Sequence, residues 1–147
     1  MKTYTGIIEK LDKNQVFVFG SNVDGFHGAG AAAYAFKFFG AKWNQGRGPQ
    51  GQSYAICTKD LNAEKHPSVS RAEIMRQIKD LYFYAEQHKD KEFLIAYSGT
   101  GKNLSHYTNE EMAEMFACTR IPGNIVFEES FSILVKEFVK KRLTVDK

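Results

Sequence analysis

No stretch of this sequence approaches the roughly 18–20 consecutive apolar residues that a membrane-spanning helix requires. The opening MKTYTGIIEKLDKN also lacks the continuous apolar core of a secretory signal. The expectation is a cytoplasmic protein with no membrane partner. Cysteine is scarce: Cys57 and Cys118 share no CxxC spacing and are expected to be buried free thiols. Charge of one sign is scarce too. The formal net charge is +3, and much of the excess falls on Lys136, Lys140, Lys141, Arg142 and Lys147. That distribution suits the end of a C-terminal helix and makes nucleic acid an unexpected partner. His27, His66, His88 and His106 show no metal-ligand spacing, and no serine stands in a GxSxG elbow. Neither a metal nor a cofactor is expected. Internal repeats, low-complexity linkers and composition breaks are also missing.

What is present is enough for a single domain over residues 1–147, with 43% hydrophobic and 25% charged residues. The continuous apolar run at 16–19 reads as a central strand covered on both faces. Residues 29–39 read as a helix closed by Gly40, 44–51 as a loop, 53–57 as a strand and 58–69 as a polar connection. Ser70 with Glu73 has capping-box spacing, and the apolar face behind it runs to about His88. A strand at 93–97 follows, then a second capping box at Thr108 and Glu111 opening a short helix. Residues 125–127 read as a strand, and Phe131, Leu134, Val135, Phe138 and Val139 mark an amphipathic final helix. This alternation predicts an α/β fold in three layers, with a mixed, mostly parallel sheet between helices. In such sheets ligands bind beyond the carboxyl ends of the strands.

Two strands exit there into small polar and glycine-rich loops. The first runs Gly20-Ser21-Asn22 and then Gly25, Gly28, Ala29 and Gly30 into a helix. Free N–H groups at such a helix start suit a phosphate or pyrophosphate. Asn22 offers a donor and an acceptor to a sugar hydroxyl, and Asp24 or His27 offers a base or acid. The glycine order is GxxGxG rather than the dinucleotide GxGxxG, which excludes a Rossmann dehydrogenase reading. The second loop is Ser98-Gly99-Thr100-Gly101, followed by Lys102 and Asn103. It departs from a P-loop at Ala96 and Asn103, and reads either as an anion cradle or as a plain turn. Of the aromatics, Tyr34, Phe36, Phe38, Phe39, Tyr82, Phe83 and Tyr84 are expected to pack in the core or between helices. Phe127 is placed either to stack on a base or to fill the core.

The segments VFVFGSNVDGFHGAGAA, GRGPQGQSYAICTKD and FLIAYSGTGKN together resemble the macro-domain-like proteins of bacteria and their phages, a divergent branch of the ADP-ribose-binding macro domain. The resemblance spans roughly residues 13–127. It implies a mixed sheet between helices, with Asn22 at the distal ribose and residues 25–30 and 98–101 around the diphosphate. It also places Phe127 beside the sugar or base. Macro domains commonly carry an aspartate after the first strand that reads the adenine amino group, whereas this chain has Gly6-Ile7-Ile8-Glu9 there. The implied function is binding of ADP-ribose or a related nucleotide diphosphate sugar, or of an ADP-ribosylated macromolecule. Hydrolysis would follow at the distal ribose, of an ester, an N-glycosidic link or a 1″-phosphate, with Asn22, Asp24 and His27 as the catalytic set. The alternative is a module that binds the same ligand without turnover. A third reading, single-stranded nucleic-acid binding, is suggested by the positive charge and the aromatics.

Overall fold

The structure, a computed structural model, describes residues 1–145. Lys147, counted above among the basic tail residues, lies outside them. Six strands and four helices follow the chain order β1 (Lys2–Tyr4), β2 (Gln15–Asn22), α1 (Gly30–Phe38), β3 (Gly48–Gln50), β4 (Ser53–Lys59), α2 (Arg71–Glu86), β5 (Glu92–Ile95), α3 (Asn109–Phe116), β6 (Ile125–Glu128) and α4 (Glu129–Val145). They form one sheet of order β1-β6-β5-β2-β4-β3. All pairings are parallel except β3 with β4, which is antiparallel at the edge. The expected three-layer architecture with a mixed, mostly parallel sheet is therefore the one observed.

The two-residue period of β2 divides the core. Val16 and Val18 face a large cluster with Ile74, Ile78 and Leu81 of α2, Met112 and Phe116 of α3, and Phe131 and Val135 of α4. Phe17 and Phe19 face a smaller cluster with Ala32 and Ala35 of α1, and Phe39. Alternate side chains of a strand point to opposite faces, so α1 covers one face of the sheet and α2–α4 the other. Thr108 makes the full capping box with Glu111, whereas at Ser70 only half of it forms: Ser70 accepts from the Glu73 amide, and the Glu73 carboxylate pairs with Arg47 and Arg76 instead. Gly40 sits just past α1 at φ +74°, where a residue without Cβ ends a helix at no steric cost.

Several boundaries differ from expectation, and β5 ends at Ile95 rather than at residue 97. β2 continues through Gly20 and Ser21 to Asn22, because β4 also extends, to Lys59, and pairs with it past a register shift at Ser21 and Asn22. α1 begins at Gly30, with Ala29 as its extended N-cap. Residues 48–50, placed in a loop by their glycine and proline, form the edge strand β3, a position where proline costs no ladder bond. β1 carries no signal in the sequence, since three residues are too few to show a period. The aromatics correct a further expectation. Phe36, Phe38 and Phe83 are 44%, 62% and 70% exposed rather than packed.

Candidate functional site

The carboxyl ends of β2, β4 and β5 open into a cleft of about 480 Å³. Gly20, Ser21 and Asn22, residues 28–32, the buried Thr58, and Lys59, Lys102 and Leu104 line it. A second lobe of about 310 Å³ is lined chiefly by Tyr4, Ile7, Ile8, Phe17, Tyr34 and Ser98. The lobes share Gly30, Ala31, Ala96 and Tyr97. The start of α1 thus lies at the waist of a two-lobed cleft.

That helix start is open. Ala29 has the extended backbone of an N-cap but no side chain to accept a bond. The first N–H groups of a helix have no partner within it, so those of α1 face the cleft with the positive end of its dipole. Gly30 lies at φ +59°, a left-handed conformation that glycine adopts freely. Gly20 has a different reason to be glycine. A Cβ there would sit 2.4 Å from the Tyr97 hydroxyl, so Tyr97 reaches the cleft floor only across a bare strand. Burial raises the Tyr97 pKa well above its ordinary value, against a bond with Thr58 that lowers it, and the phenol stays a neutral donor.

The first loop is held by its own backbone. Asn22 Oδ1 accepts from the Phe26 amide at 2.9 Å, and its Nδ2 donates to the Phe26 carbonyl at 2.8 Å. Asn22 still lines the cleft and keeps one donor and one acceptor position. Ser21 Oγ donates to the Gly46 carbonyl. Gly25 and Gly46 allow the neighbouring turn to press against this loop: a Cβ at Gly25 would lie 2.3 Å from the Gln45 amide nitrogen, and one at Gly46 would lie 2.2 Å from the Asn22 carbonyl oxygen.

The second loop is closed upon itself. Ser98 Oγ accepts from the amides of Thr100 (3.0 Å) and Gly101 (2.8 Å), and the Gly99 amide donates to Ser130 Oγ at 2.8 Å. Of the two readings of Ser98, Gly99, Thr100 and Gly101, these bonds describe the turn. Asn103 is spent likewise, donating to the Tyr107 carbonyl and to Asn109 Oδ1 and accepting from the Ser105 amide. Lys102 lines the cleft, and among the described residues neither it nor Lys59 is within salt-bridge distance of a carboxylate.

Seven expected site residues line neither lobe: Gly25, Gly99, Thr100 and Gly101 within the two turns, and His27, Asp24 and Phe127 elsewhere. His27 is 1% exposed, its ring edge-on to Phe19 and Trp43, and neither ring nitrogen has a hydrogen-bond partner. Asp24 does not line the cleft; its Oδ2 accepts from Asn62 Nδ2 at 3.2 Å. Phe127 is fully buried against Phe116 and Phe131, because β6 runs between two strands and its inward residues are core. Conversely Thr58, Lys59, Tyr34, Tyr97 and Leu61 line the lobes although no motif marks them. Only the end of β4, which carries Thr58, and the exit from β5, which leads to Tyr97, could have signalled this. Cys57 is buried and Cys118 half-buried, and burial raises both thiol pKa values, so neither is an activated nucleophile. No group of three or more His, Cys, Asp or Glu among the described residues is placed to hold a metal ion.

The fold and cleft define a three-layer α/β domain with one open helix start at its carboxyl edge. Comparison with known proteins adds no match: no family model fits the chain and no curated protein is significantly similar. No helix among the described residues is long and apolar enough to cross a membrane.

Proposed function

We propose that the cleft binds ADP-ribose or a closely related nucleotide diphosphate sugar. The observation that carries this reading is the open start of α1 at the waist between two lobes. A diphosphate seated there meets free amides and a dipole of favourable sign, with Lys59 and Lys102 adding charge. The lobe of Ile7, Ile8, Phe17 and Tyr34 suits a base, and the lobe of Gly20, Asn22 and Thr58 suits a sugar. The resemblance to the macro-domain-like family supports the same assignment. The loops differ in what they can offer, since the diphosphate falls to the first loop and α1 rather than to the self-satisfied second.

This favours a binding module over a hydrolase, because His27 is sealed in the core and Asp24 lies off the cleft. Hydrolysis at the distal ribose is the second reading. It rests on Asp24, held by Asn62 two residues from the cleft-lining Asn22.

The test is calorimetric titration with ADP-ribose, with AMP and ribose 5-phosphate as controls, on the wild type and Ala29→Asp. An aspartate N-cap stabilises a helix by ~1 kcal/mol and places a carboxylate where the diphosphate would sit. The variant should melt higher and bind at least ~10-fold more weakly, a loss of ~1.4 kcal/mol. Unchanged affinity would remove α1 from the site. Turnover of an ADP-ribosylated protein, lost in Asp24→Asn with binding retained, would move the assignment to a hydrolase.

A further inference from the structure

Beside the cleft the chain displays rings that belong to no core. Phe26, Phe36 and Trp43 are 45%, 44% and 46% exposed. Phe26 and Trp43 stack, with ring centroids 5.6 Å apart and planes inclined by 17°. Phe36 meets Trp43 edge to face at 5.4 Å. The ledge is continuous with the cleft, because Phe26 also lines it.

The ledge is built rather than incidental. Asn22 clasps the backbone of Phe26 from both ends of its amide. The Asn44 amide donates to the Gly25 carbonyl at 2.9 Å, joining the turn that carries Trp43 to the loop that carries Phe26. The bare Cα of Gly25 lets that turn approach. Two loops are locked together, and what they present is a pair of flat aromatic faces.

The segments that carry the ledge are rich in cations, with Asp24 and Asp60 at their borders and Arg47 paired to Glu73. From Gly25 to Lys59 the chain carries Lys37, Lys42, Arg47 and Lys59 and not one carboxylate. Lys37 lies between Phe36 and Phe38, Lys42 precedes Trp43, and both are exposed. The segment from Phe93 to Asn109, which supplies Lys102 to the cleft, is free of carboxylates as well. These two segments are therefore more basic than the chain as a whole. Half-exposed stacked rings beside lysines that form no salt bridge among the described residues are what a single-stranded nucleic acid engages, bases on rings and phosphates on cations.

We propose that the ledge of Phe26, Trp43 and Phe36 docks a single strand of nucleic acid, with Lys37 and Lys42 taking its phosphates. The cleft's ligand would then be a nucleotide diphosphate sugar joined to that strand. This last step rests on the function proposed above, whereas the docking itself does not.

Trp43 is the sole tryptophan, so its emission reports the ledge directly. The experiment titrates the full chain with an oligothymidylate of about 12 nucleotides. It reads Trp43 quenching in the wild type and in Phe36→Ala, and anisotropy of a labelled oligonucleotide for Trp43→Ala and the double variant Lys37→Glu/Lys42→Glu. Saturable quenching is expected, with affinity falling roughly 10-fold or more in Trp43→Ala. The salt dependence should flatten by roughly 0.7 in log–log slope for each phosphate that the lysine variant no longer neutralises. Circular dichroism and melting, expected to be unchanged in Lys37→Glu/Lys42→Glu, with a lower melting temperature in Trp43→Ala because Trp43 covers His27, separate a docking defect from a folding defect. ADP-ribose binding with no oligonucleotide binding would overturn the ledge and leave the cleft assignment standing. The converse would uphold the ledge and remove the cleft ligand. Equal quenching by an acidic peptide, or concentration-dependent dimerisation abolished in Trp43→Ala, would overturn the proposal in favour of a protein partner or a second copy.

Discussion

The two glycine-rich loops leave neighbouring strands, β2 and β5, at the same edge of one sheet, yet they dispose of their backbone N–H groups in opposite ways. The second loop folds its amides back onto Ser98 and Ser130, with Glu128 behind them. The first is braced by Asn22 and Ser21 bonds that leave the start of α1 uncapped. Glycine content is similar in both. What separates a candidate anion site from a turn is whether a nearby side chain has already accepted from the amides. A serine at the head of a loop uses them up, and an alanine at a helix N-cap leaves them free.

The contrast can be broken most forcefully at Gly46. Replacing it with alanine drives a Cβ into the Asn22 carbonyl oxygen, a backbone atom that cannot step aside. A loss of about 3 kcal/mol is expected, read from urea unfolding, together with loss of ADP-ribose binding because the first loop must move. Ser98→Ala acts on the other loop. It strips two amides of their acceptor and should cost about 1 kcal/mol, since water can replace the hydroxyl at this half-buried site. Because Ser98 also lines the second lobe, ADP-ribose affinity should fall slightly; a gain would show that the freed amides can serve as a second cradle. The smallest effect concerns acid. Burial raises the Glu128 pKa, but bonds from the Ser130 hydroxyl and from the Ser130, Phe131 and Gly99 amides outweigh this and hold it below the ordinary carboxylate value. A depressed folded-state pKa means stability that is complete above the unfolded value and lost as pH falls through the folded one. Melting below the usual carboxylate range should therefore fall less steeply in Glu128→Gln than in the wild type.

Much of this is legible in the sequence. Period-2 and helical patterns place most strands and helices, and both side-chain caps form at the serine and threonine that announce them. Gly20, Ser21, Asn22, Gly28, Ala29, Gly30, Lys102 and Asn103, all expected at a site, do line one cleft. The failures share a cause. Whether Ser98 turns inward, whether His27 is sealed behind Phe19 and Trp43, and whether Phe36 finds a partner all depend on contacts between segments far apart in the chain. Trp43 itself carries no local signal, because an aromatic in a loop reads the same whether it fills a core or faces water. The second lobe depends on Tyr4, in a strand too short to show a period.

That short strand governs the order in which the molecule can assemble. β1 is paired only with β6, Lys2 opposite Val126 and Tyr4 opposite Glu128, and Tyr4 Oη reaches across to the Ile95 carbonyl at 2.7 Å. Loop closure over so long a separation is slow and its entropy cost is met late. On the ribosome, β2, β4 and β5 can pair while β1 still waits for a neighbour that has not emerged. The β5-β2-β4-β3 part of the sheet can form early; the lobe that contains Tyr4 is finished last, when β6 arrives.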